Sequence, residues 1–370
     1  MPAASILIKP ASSACNIDCK YCFYKKLVDK REIGNCGQMS LDIAEMLVCQ
    51  AISYADNFLC FAFQGGEPML AGLSYYKEVL KMQQKYNTKG LEIQNTIQTN
   101  GTLVDEEWAQ FFAKNHFLVG LSMDGSRKVN DFCRVDREGE SIFKQLMHTV
   151  ELFEKYGVEF NVVSVVTSLS VEKVSYIYNF FKKKHFNYLQ FIPCMDETFE
   201  DKNPYSVTPE AYGMFLCELF DLWYEDFMRG TQIDIRMFSN LAQMAAGYMA
   251  EECGMSGHCN TYFVVEGDGA VYPCDFYAVD EWRLGTVADG FEVLYHSALS
   301  KKFMQGSEIL HKKCIQCPYF SLCRGGCRRW RETAGERQGL NYLCPAYEKF
   351  FAHCQERILK LGELIKARYQ

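Results

Sequence analysis

The hydrophobic positions in the first half of the chain alternate between short apolar runs and longer amphipathic segments. The apolar runs predict strands at 5–9, 59–64, 91–98, 117–123, 159–166 and 187–192. Apolar residues recur three and four positions apart between them, which predicts helices near 40–54, 72–87, 105–115, 141–156 and 170–184. Repeated strand-then-helix units favour a parallel sheet with right-handed crossovers. Because six units are fewer than the eight of a closed barrel, we expect an α/β fold with a partial (β/α)6 barrel.

The pattern changes in the second half of the chain. Two more helices are predicted near 208–230 and 236–252, after which the helical periodicity breaks and cysteines become frequent. A hairpin is predicted over 261–272, with its turn at 267–269, and helix returns from Pro345 onward. A chain of 370 residues is long enough for two domains. We therefore predict a barrel domain at 1–235 and a cysteine-rich domain at 236–370.

Composition and charge narrow the class of protein. The chain is 48% hydrophobic and 23% charged, as in an ordinary globular protein, and no apolar run approaches the length of a membrane span. Its net charge of −7 argues against nucleic-acid binding, which usually needs a basic surface. The first residues lack the pattern of a signal peptide. These features favour a soluble, cytoplasmic protein without nucleic-acid or membrane partners.

The chain contains 18 cysteines, which is unusual for such a protein. Without an export signal, many cysteines in a long chain indicate metal ligation more often than disulfides. The seven scattered cysteines are interpreted as small buried hydrophobic residues. The remaining eleven lie in spaced groups, at positions 15, 19, 22, 253, 259, 274, 314, 317, 323, 327 and 344.

The first group is Cys15-x3-Cys19-x2-Cys22, directly after the first predicted strand. A four-iron cluster normally takes four protein ligands, so three thiolates would leave one iron open to a substrate or cofactor. Zinc is the alternative, but a structural zinc site is normally closed by four ligands. Because no fourth cysteine or histidine lies nearby, the loop favours an iron–sulfur cluster with an open iron.

Polar loops follow the next three predicted strands, beginning at Gln64, Gln98 and Ser122. In parallel β/α folds the carboxyl ends of the strands carry the chemistry. The Gly-Gly pair after Gln64 permits close approach of the backbone to a ligand, and Glu67 offers an acceptor for a cationic group. These loops therefore predict one ligand site shared with the cysteine loop.

The second cysteine field contains eight cysteines, at positions 253, 259, 274, 314, 317, 323, 327 and 344. Eight ligands would complete two four-iron clusters, and equally two tetrahedral zinc sites. The count therefore predicts two closed metal sites without choosing the metal. The first loop makes iron the better interpretation.

The two fields together resemble a known enzyme superfamily. The Cys-x3-Cys-x2-Cys loop and the Gly-Gly-Glu-Pro turn resemble a radical S-adenosylmethionine (SAM) enzyme, and the second field resembles its SPASM extension. Within that superfamily the chain is similar to the anaerobic sulfatase-maturating enzymes. The likeness lies in Lys9-Pro-Ala-Ser-Ser13, Cys22-Phe-Tyr24, Phe63-Gln-Gly-Gly-Glu-Pro68, Gln98-Thr-Asn-Gly-Thr102, Gly120-Leu-Ser-Met-Asp-Gly125 and Tyr272-Pro-Cys-Asp-Phe-Tyr277.

The resemblance implies SAM and three four-iron clusters as cofactors. The SAM-cleaving cluster would be held by Cys15, Cys19 and Cys22. The predicted SAM contacts are Gly65, Gly66 and Glu67 at the amino group, then Gln98, Asn100, Ser122 and Arg134, with Arg134 at the carboxylate. The first auxiliary cluster would be held by Cys253, Cys259, Cys274 and Cys327, and the second by Cys314, Cys317, Cys323 and Cys344.

The implied reaction oxidises a Cys or Ser of a sulfatase polypeptide to Cα-formylglycine. A radical derived from SAM would remove hydrogen from Cβ, and Asp275 would act as the general base. Tyr24 and Gln64 would flank the substrate residue. An electron donor such as ferredoxin or flavodoxin would reduce the SAM-cleaving cluster.

Other interpretations remain open at this point. The family pattern has Pro and His where this chain has Ser126 and Asn130, which questions the subfamily more than SAM cleavage. A SPASM enzyme that crosslinks a ribosomally made peptide is one alternative, although many of those carry a leader-binding domain before the barrel. A non-catalytic iron–sulfur electron carrier would not need the Gly-Gly-Glu-Pro loop. A zinc-binding interaction module would lack the colour of iron–sulfur clusters.

Overall fold

A computed structural model describes residues 4–195, 203–332 and 337–369. The chain falls into two compact units. The first comprises Met1–Ser122, Cys133–Phe160 and Asn260–Phe303, and the second comprises Met123–Phe132, Asn161–Cys259 and Met304–Gln370. The predicted boundary near residue 235 coincides with no edge of these units, so the division into 1–235 and 236–370 stays a prediction.

The strands follow the predicted pattern closely. In chain order they are β1 (Ala4–Ile8), β2 (Phe58–Phe63), β3 (Glu92–Thr99), β4 (Leu118–Ser122), β5 (Phe160–Val166), β6 (Tyr188–Pro193), β7 (Asp234–Ile235), β8 (Val264–Val265), β9 (Ala270–Tyr272) and β10 (Gly285–Thr286). The six strands predicted for the barrel are β1 to β6, each within one residue of its expected bounds. Alternating burial, as in β2, explains why the apolar pattern was informative.

The helices also match the periodic segments. They are α1 (Phe23–Val28), α2 (Leu41–Tyr54), α3 (Leu73–Tyr86), α4 (Glu106–Lys114), α5 (Arg127–Asn130), α6 (Phe143–Tyr156), α7 (Val174–Lys183), α8 (Pro209–Met228), α9 (Arg236–Ala245), α10 (Phe291–His296), α11 (Ala298–Gly306), α12 (Lys312–Ile315), α13 (Phe320–Cys323) and α14 (Cys344–Tyr369). Short 3-10 turns occur as well, among them Pro68–Ala71 and Asp275–Tyr277. No helix in the described part of the chain is both long and apolar enough to span a bilayer.

Capping residues fix where several helices begin and end. Ser40 accepts a hydrogen bond from the Ile43 amide at the start of α2, and Asp105 accepts one from the Trp108 amide at the start of α4. The helix α9 ends at Ala245, earlier than expected. The side-chain oxygen of Asn240 accepts the Glu251 amide at 2.6 Å, so the chain beyond α9 uses that bond instead of continuing the helix.

In the first unit, β1 lies between β2 and β8, and the strand order is β10-β9-β8-β1-β2-β3-β4. The strand β8 runs parallel to β1, with Leu7 opposite Val264 and Ile8 opposite Val265. The predicted hairpin is formed by β8 and β9, which are antiparallel. It thereby joins the sheet of the first unit, and the residues that follow β1 and β8 leave the sheet side by side.

The apolar core of the first unit packs the buried faces of β1 to β4 against α2, α3, α4 and α6. Phe61, Phe112 and Phe153 are fully buried within it. Burial of each such side chain stabilises the fold by about 1.5–3 kcal/mol. This core holds the carboxyl ends of the strands, and the loops that follow them, in fixed positions.

The second unit has its own parallel strands and helices. The strand β6 pairs with β5 and with β7, with Val162 opposite Leu189 and Leu189 opposite Ile235. The helices α8, α9 and α14 pack together through Phe220, Phe238 and Phe350, whose ring centroids lie 5.1–5.8 Å apart. This aromatic contact anchors α14, which begins at the cysteine ligand candidate Cys344.

Candidate active site and metal centres

The first cysteine loop leaves the carboxyl end of β1, as predicted. Cys19 is buried, and Cys15 and Cys22 are half-buried. Burial raises the pKa of the Cys22 thiol, and the neighbouring Cys19 raises it further. Burial likewise raises the pKa of Cys15, which also lies in the field of Cys22. The structure thus brings the three sulfurs together, as a shared cluster requires, and binding of iron must release their protons.

The Gly-Gly turn after β2 packs directly on the cysteine loop. The Gly66 amide donates to the carbonyl of Ser12 at 3.0 Å, and the Glu67 amide donates to that of Ala14 at 2.7 Å. A Cβ on Gly66 would lie 2.0 Å from the Ala14 oxygen, and Gly65 has a φ of +122°. The glycines therefore admit the backbone of the cysteine loop, whereas their predicted contacts with SAM stay a prediction.

We expect Gly66→Ala to damage the cysteine loop. The added methyl meets backbone, which cannot rotate away, so the loop or the turn must shift at a cost of about 2 kcal/mol or more. Iron bound after anaerobic reconstitution and the melting temperature should both fall. In Gly90→Ala the added Cβ meets nothing within 4 Å, although φ is +69°. That control should lower stability by about 1 kcal/mol without loss of iron, and normal iron in Gly66→Ala would contradict the expectation.

Glu67 is fully buried and is satisfied by the protein itself. Its Oε1 accepts from Thr99 Oγ1 at 2.8 Å and from the Met69 amide at 3.0 Å, and its Oε2 accepts from the Asn100 amide at 2.8 Å. Burial raises the pKa of Glu67 to about 7, although these donors oppose the shift. Glu67 therefore joins the loops after β2 and β3, a role the sequence did not indicate. Its contact with the SAM amino group stays a prediction.

Gln98, Ser122 and Asn100 lie on the loops at the ends of β3 and β4. Gln98 Nε2 donates to Ser122 Oγ at 2.8 Å. Gly120 makes this possible, because a Cβ there would lie 2.1 Å from Gln98 Oε1. Asn100 Nδ2 lies 3.8 Å from the sulfur of Cys15. The structure therefore joins two of these residues to each other and one to the cysteine loop.

Arg134 is 5% exposed and also faces the cysteine loop. Its Nη1 donates to the hydroxyl of Tyr21 at 2.8 Å, between two of the loop cysteines in sequence. Arg134 is also close enough to Glu67 to lower the pKa of that carboxyl. A buried guanidinium beside the cysteine loop fits a carboxylate-binding role, which remains to be tested.

Asp275, Tyr24 and Gln64 form one hydrogen-bonded group, although they are far apart in sequence. Tyr24 OH donates to Asp275 Oδ2 at 2.5 Å, and Gln64 Nε2 donates to Tyr24 OH at 3.0 Å. Burial and the charge of Asp275 raise the pKa of Tyr24 well above its usual value, so the phenol stays protonated. The structure thus unites the three residues predicted to surround the substrate.

Lys9 completes this group and was not among the predicted site residues. Its Nζ lies 2.9 Å from Asp275 Oδ1 and 3.2 Å from Glu266 Oε1. The Lys9–Asp275 contact is an ion pair outside hydrogen-bond geometry, and within the described ranges Asp275 Oδ1 accepts no hydrogen bond. The ammonium also lies 4.7 Å from the centre of the Tyr24 ring. The signal in the sequence was Lys9 directly after a strand, which indicated sheet position but not its partners.

Cys314, Cys317, Cys323 and Cys344 surround one cavity in the second unit. The cavity has about 350 Å³ of empty space, part of it open to solvent, and is also lined by Tyr347 and Phe351. Burial raises the pKa of Cys323 to about 12 and that of Cys344 to about 11. Four thiols around a partly apolar cavity fit a four-iron cluster, and loading it would release protons.

Cys253, Cys259 and Cys327 also lie together in the second unit. Burial raises the pKa of Cys327 to about 12, and the nearby Cys253 and Cys259 raise it further. Cys274, the fourth predicted ligand, belongs to the first unit, so its assignment stays a prediction. No group of three or more His, Cys, Asp or Glu in the described residues could hold a single metal ion. A cluster takes one thiolate on each iron, so its ligands lie further apart than those of one ion.

Ser126 and Asn130 depart from the family pattern, and the second unit accommodates both. Ser126 Oγ donates to Tyr176 OH at 3.0 Å. Asn130 is fully buried, and its Oδ1 accepts from the Asp124 amide at 3.3 Å. The substitutions are therefore supported by local hydrogen bonds.

The α/β fold, the three-cysteine loop and the second set of thiols define an iron–sulfur enzyme whose first cluster has an open iron. The model of the Radical SAM superfamily matches residues 10–181, and that of an iron–sulfur cluster-binding domain, SPASM, matches residues 253–318. The cysteine-type anaerobic sulfatase-maturating enzyme of Clostridium perfringens strain 13 is 45% identical, over 99% of this chain and 100% of its own. The chain belongs to the anaerobic sulfatase-maturating enzymes, a family of radical SAM enzymes with a SPASM domain.

Two further comparisons agree with this family. The serine-type anaerobic sulfatase-maturating enzyme of Bacteroides thetaiotaomicron is 32% identical, over 94% of this chain and 88% of its own. A solved structure of native anSMEcpe with bound AdoMet and Cp18Cys peptide has a TM-score of 0.94 and 44% identity, covering 99% of this chain and 100% of that one. The predicted fold class is confirmed, namely a partial barrel with a C-terminal SPASM domain. The predictions of a radical SAM enzyme with SAM and iron–sulfur cofactors are confirmed as well.

Proposed function

We propose that this chain oxidises a cysteine residue of a sulfatase polypeptide to Cα-formylglycine. The observation that carries the proposal is the free acceptor of Asp275. Its Oδ1 is buried and accepts no hydrogen bond from the described residues, while Oδ2 is occupied by Tyr24. Identity supports cysteine as the residue oxidised, because it is 45% with a cysteine-type relative and 32% with a serine-type one.

The side chains around Asp275 suit a proton acceptor. Lys9 supplies a positive charge at Oδ1 outside hydrogen-bond geometry, so it favours the ionised carboxylate and leaves that oxygen able to accept a proton from the substrate thiol. Tyr24 fixes Oδ2, and Gln64 orients the phenol by donating to its oxygen. Asp275 would then take the thiol proton, with Tyr24 and Gln64 beside the substrate residue.

The cofactors would be held by residues that the structure already groups. Cys15, Cys19 and Cys22 would hold the SAM-cleaving cluster. The predicted SAM contacts would come from the surrounding loops, with Arg134 best suited to the carboxylate. When bound, the cluster and SAM supply electron transfer and hydrogen abstraction from Cβ. This chain's own residues would orient the substrate and receive its proton.

The two auxiliary ligand sets belong to the same proposal. Cys253, Cys259, Cys274 and Cys327 would hold one cluster, and the four thiols around the cavity would hold the other. Removal of one hydrogen atom and one proton leaves an electron that the closed clusters can accept, since all their irons have protein ligands. A reduced ferredoxin or flavodoxin would be the external electron donor.

The test is anaerobic incubation of reduced, reconstituted enzyme with SAM and a peptide containing Cys-x-Pro-x-Arg. We expect the peptide to lose the mass that separates a thiol from an aldehyde, and an aldehyde-specific hydrazine probe to label it. The matched serine peptide should react more slowly. Release of 5′-deoxyadenosine with an unchanged peptide, or with a thioether crosslink, would contradict the proposal.

A further inference from the structure

A chain of alternating buried charges leads away from Asp275 into the protein. Arg31 Nη2 lies 2.5 Å from Glu266 Oε1, and the same oxygen lies 3.2 Å from Lys9 Nζ. Lys9 in turn contacts Asp275. The side chains of Lys9, Arg31 and Glu266 are all 2% exposed or less. Two cations and two carboxylates balance, which a buried set of charges requires.

The sheet register places the central pair of this chain. Lys9 follows β1 and Glu266 follows β8, and these strands are parallel neighbours with Ile8 opposite Val265. The Lys9 amide donates to the Val265 carbonyl at 2.9 Å, so the pairing continues to the two charged residues. Their contact is thus built into the backbone rather than made by two flexible surface side chains.

Other contacts hold Glu266 and the Asp275 loop in place. Ser12 Oγ donates to Glu266 Oε2 at 2.9 Å, so both carboxylate oxygens have partners. Arg31 Nε donates to the carbonyl of Ala278, three residues after Asp275. Burial raises the pKa of Glu266, but Lys9 and Arg31 outweigh burial and hold that pKa below its usual value. Glu266 is therefore a fixed anion.

We propose that Glu266, held by Arg31, is a positioning residue for the reaction. It fixes the Lys9 ammonium beside Asp275 Oδ1 at an angle that gives charge contact without occupying the acceptor. Without Glu266, the ammonium would be free to turn and donate a hydrogen bond to Oδ1, the oxygen needed for the substrate proton. This inference rests on the proposed role of Asp275 as the base. It assigns to Glu266 an effect that acts only through Lys9.

The test compares Glu266→Gln, Lys9→Met and the double variant by formylglycine formed per 5′-deoxyadenosine released. Glu266→Gln should lower this ratio about tenfold or more with little change in the KM for peptide. In the Lys9→Met background, Glu266→Gln should cause no further loss, because the residue it positions is gone. The same loss in both backgrounds would overturn the proposal. The double variant is also charge-neutral, since it removes one buried cation and one buried anion.

Two further measurements separate positioning from a general loss of structure. Arg31→Lys keeps the buried charge but loses the planar fork that contacts Glu266 and the Ala278 carbonyl, so it should lower the same ratio. Asp226→Asn removes another buried carboxylate, bonded to Tyr178 and Lys182. It should lower the melting temperature and leave the ratio unchanged, and a fall in that control would overturn the assignment. If Asp275→Asn keeps a normal ratio, the base assignment fails instead.

Discussion

Asp275→Asn is expected to abolish formylglycine formation while SAM is still cleaved. An amide has nearly the same shape as a carboxylate but cannot take up the thiol proton, so peptide oxidation should fall by about a hundredfold or more. The residues grouped around the SAM-cleaving cysteines do not include Asp275, so release of 5′-deoxyadenosine should persist. Peptide mass and 5′-deoxyadenosine, measured in the same anaerobic reaction, give both rates.

The matched control for Asp275→Asn is Asp280→Asn. Asp280 follows Asp275 in the same segment, and its Oδ2 accepts from the exposed amide of Glu32 at 2.7 Å. It makes the same chemical change away from Tyr24 and Lys9. The control should keep near-normal peptide oxidation. Equal activity of the two variants would refute Asp275 as the base.

Replacement of Cys15, Cys19 and Cys22 together by alanine is expected to abolish SAM cleavage completely. Reconstituted wild-type protein should hold about 12 iron atoms per chain, four in each of three clusters, and the variant about eight. The remaining iron should keep the brown colour and the absorption of the auxiliary clusters. Iron analysis, the visible spectrum and 5′-deoxyadenosine release measure these effects separately.

Cys49→Ser is the control for this loss of ligands. Cys49 is exposed on α2 and belongs to none of the predicted ligand sets. It should keep the full iron content and normal SAM cleavage. About four iron atoms in the wild type, zinc in place of iron, or SAM cleavage by the triple variant would each contradict the assignment of the three cysteines.

The strands and helices of the barrel could be predicted because burial leaves a periodic record in the sequence. The strand β2 alternates half-buried and buried residues, and α4 begins at the capping residue Asp105. The turn of the hairpin at 267–269 was also predicted, but not its place in the sheet. Pairing of β8 with β1 depends on backbone hydrogen bonds, which carry no side-chain pattern of their own.

The candidate site was predicted through types of residue more than through contacts. Cysteine spacing and the family likeness identified the ligand sets, and the likeness alone selected Asp275. The Glu67 result shows the limit of that reasoning, because this carboxylate meets three donors of the protein. Sequence position does not show whether an acceptor is already satisfied. That depends on which amides the fold brings to it.

The sequence by itself determined the class of fold, the family and the cysteines that can bind iron. These follow from periodic burial and from ligand spacing, both of which are local along the chain. Only the tertiary structure decided that Lys9, Glu266 and Arg31 form a charged chain ending at Asp275. Those residues are up to 266 positions apart, and a lysine or glutamate gains a buried ionic partner only when strand pairing brings the two together. The free acceptor on Asp275 is therefore a property of the fold.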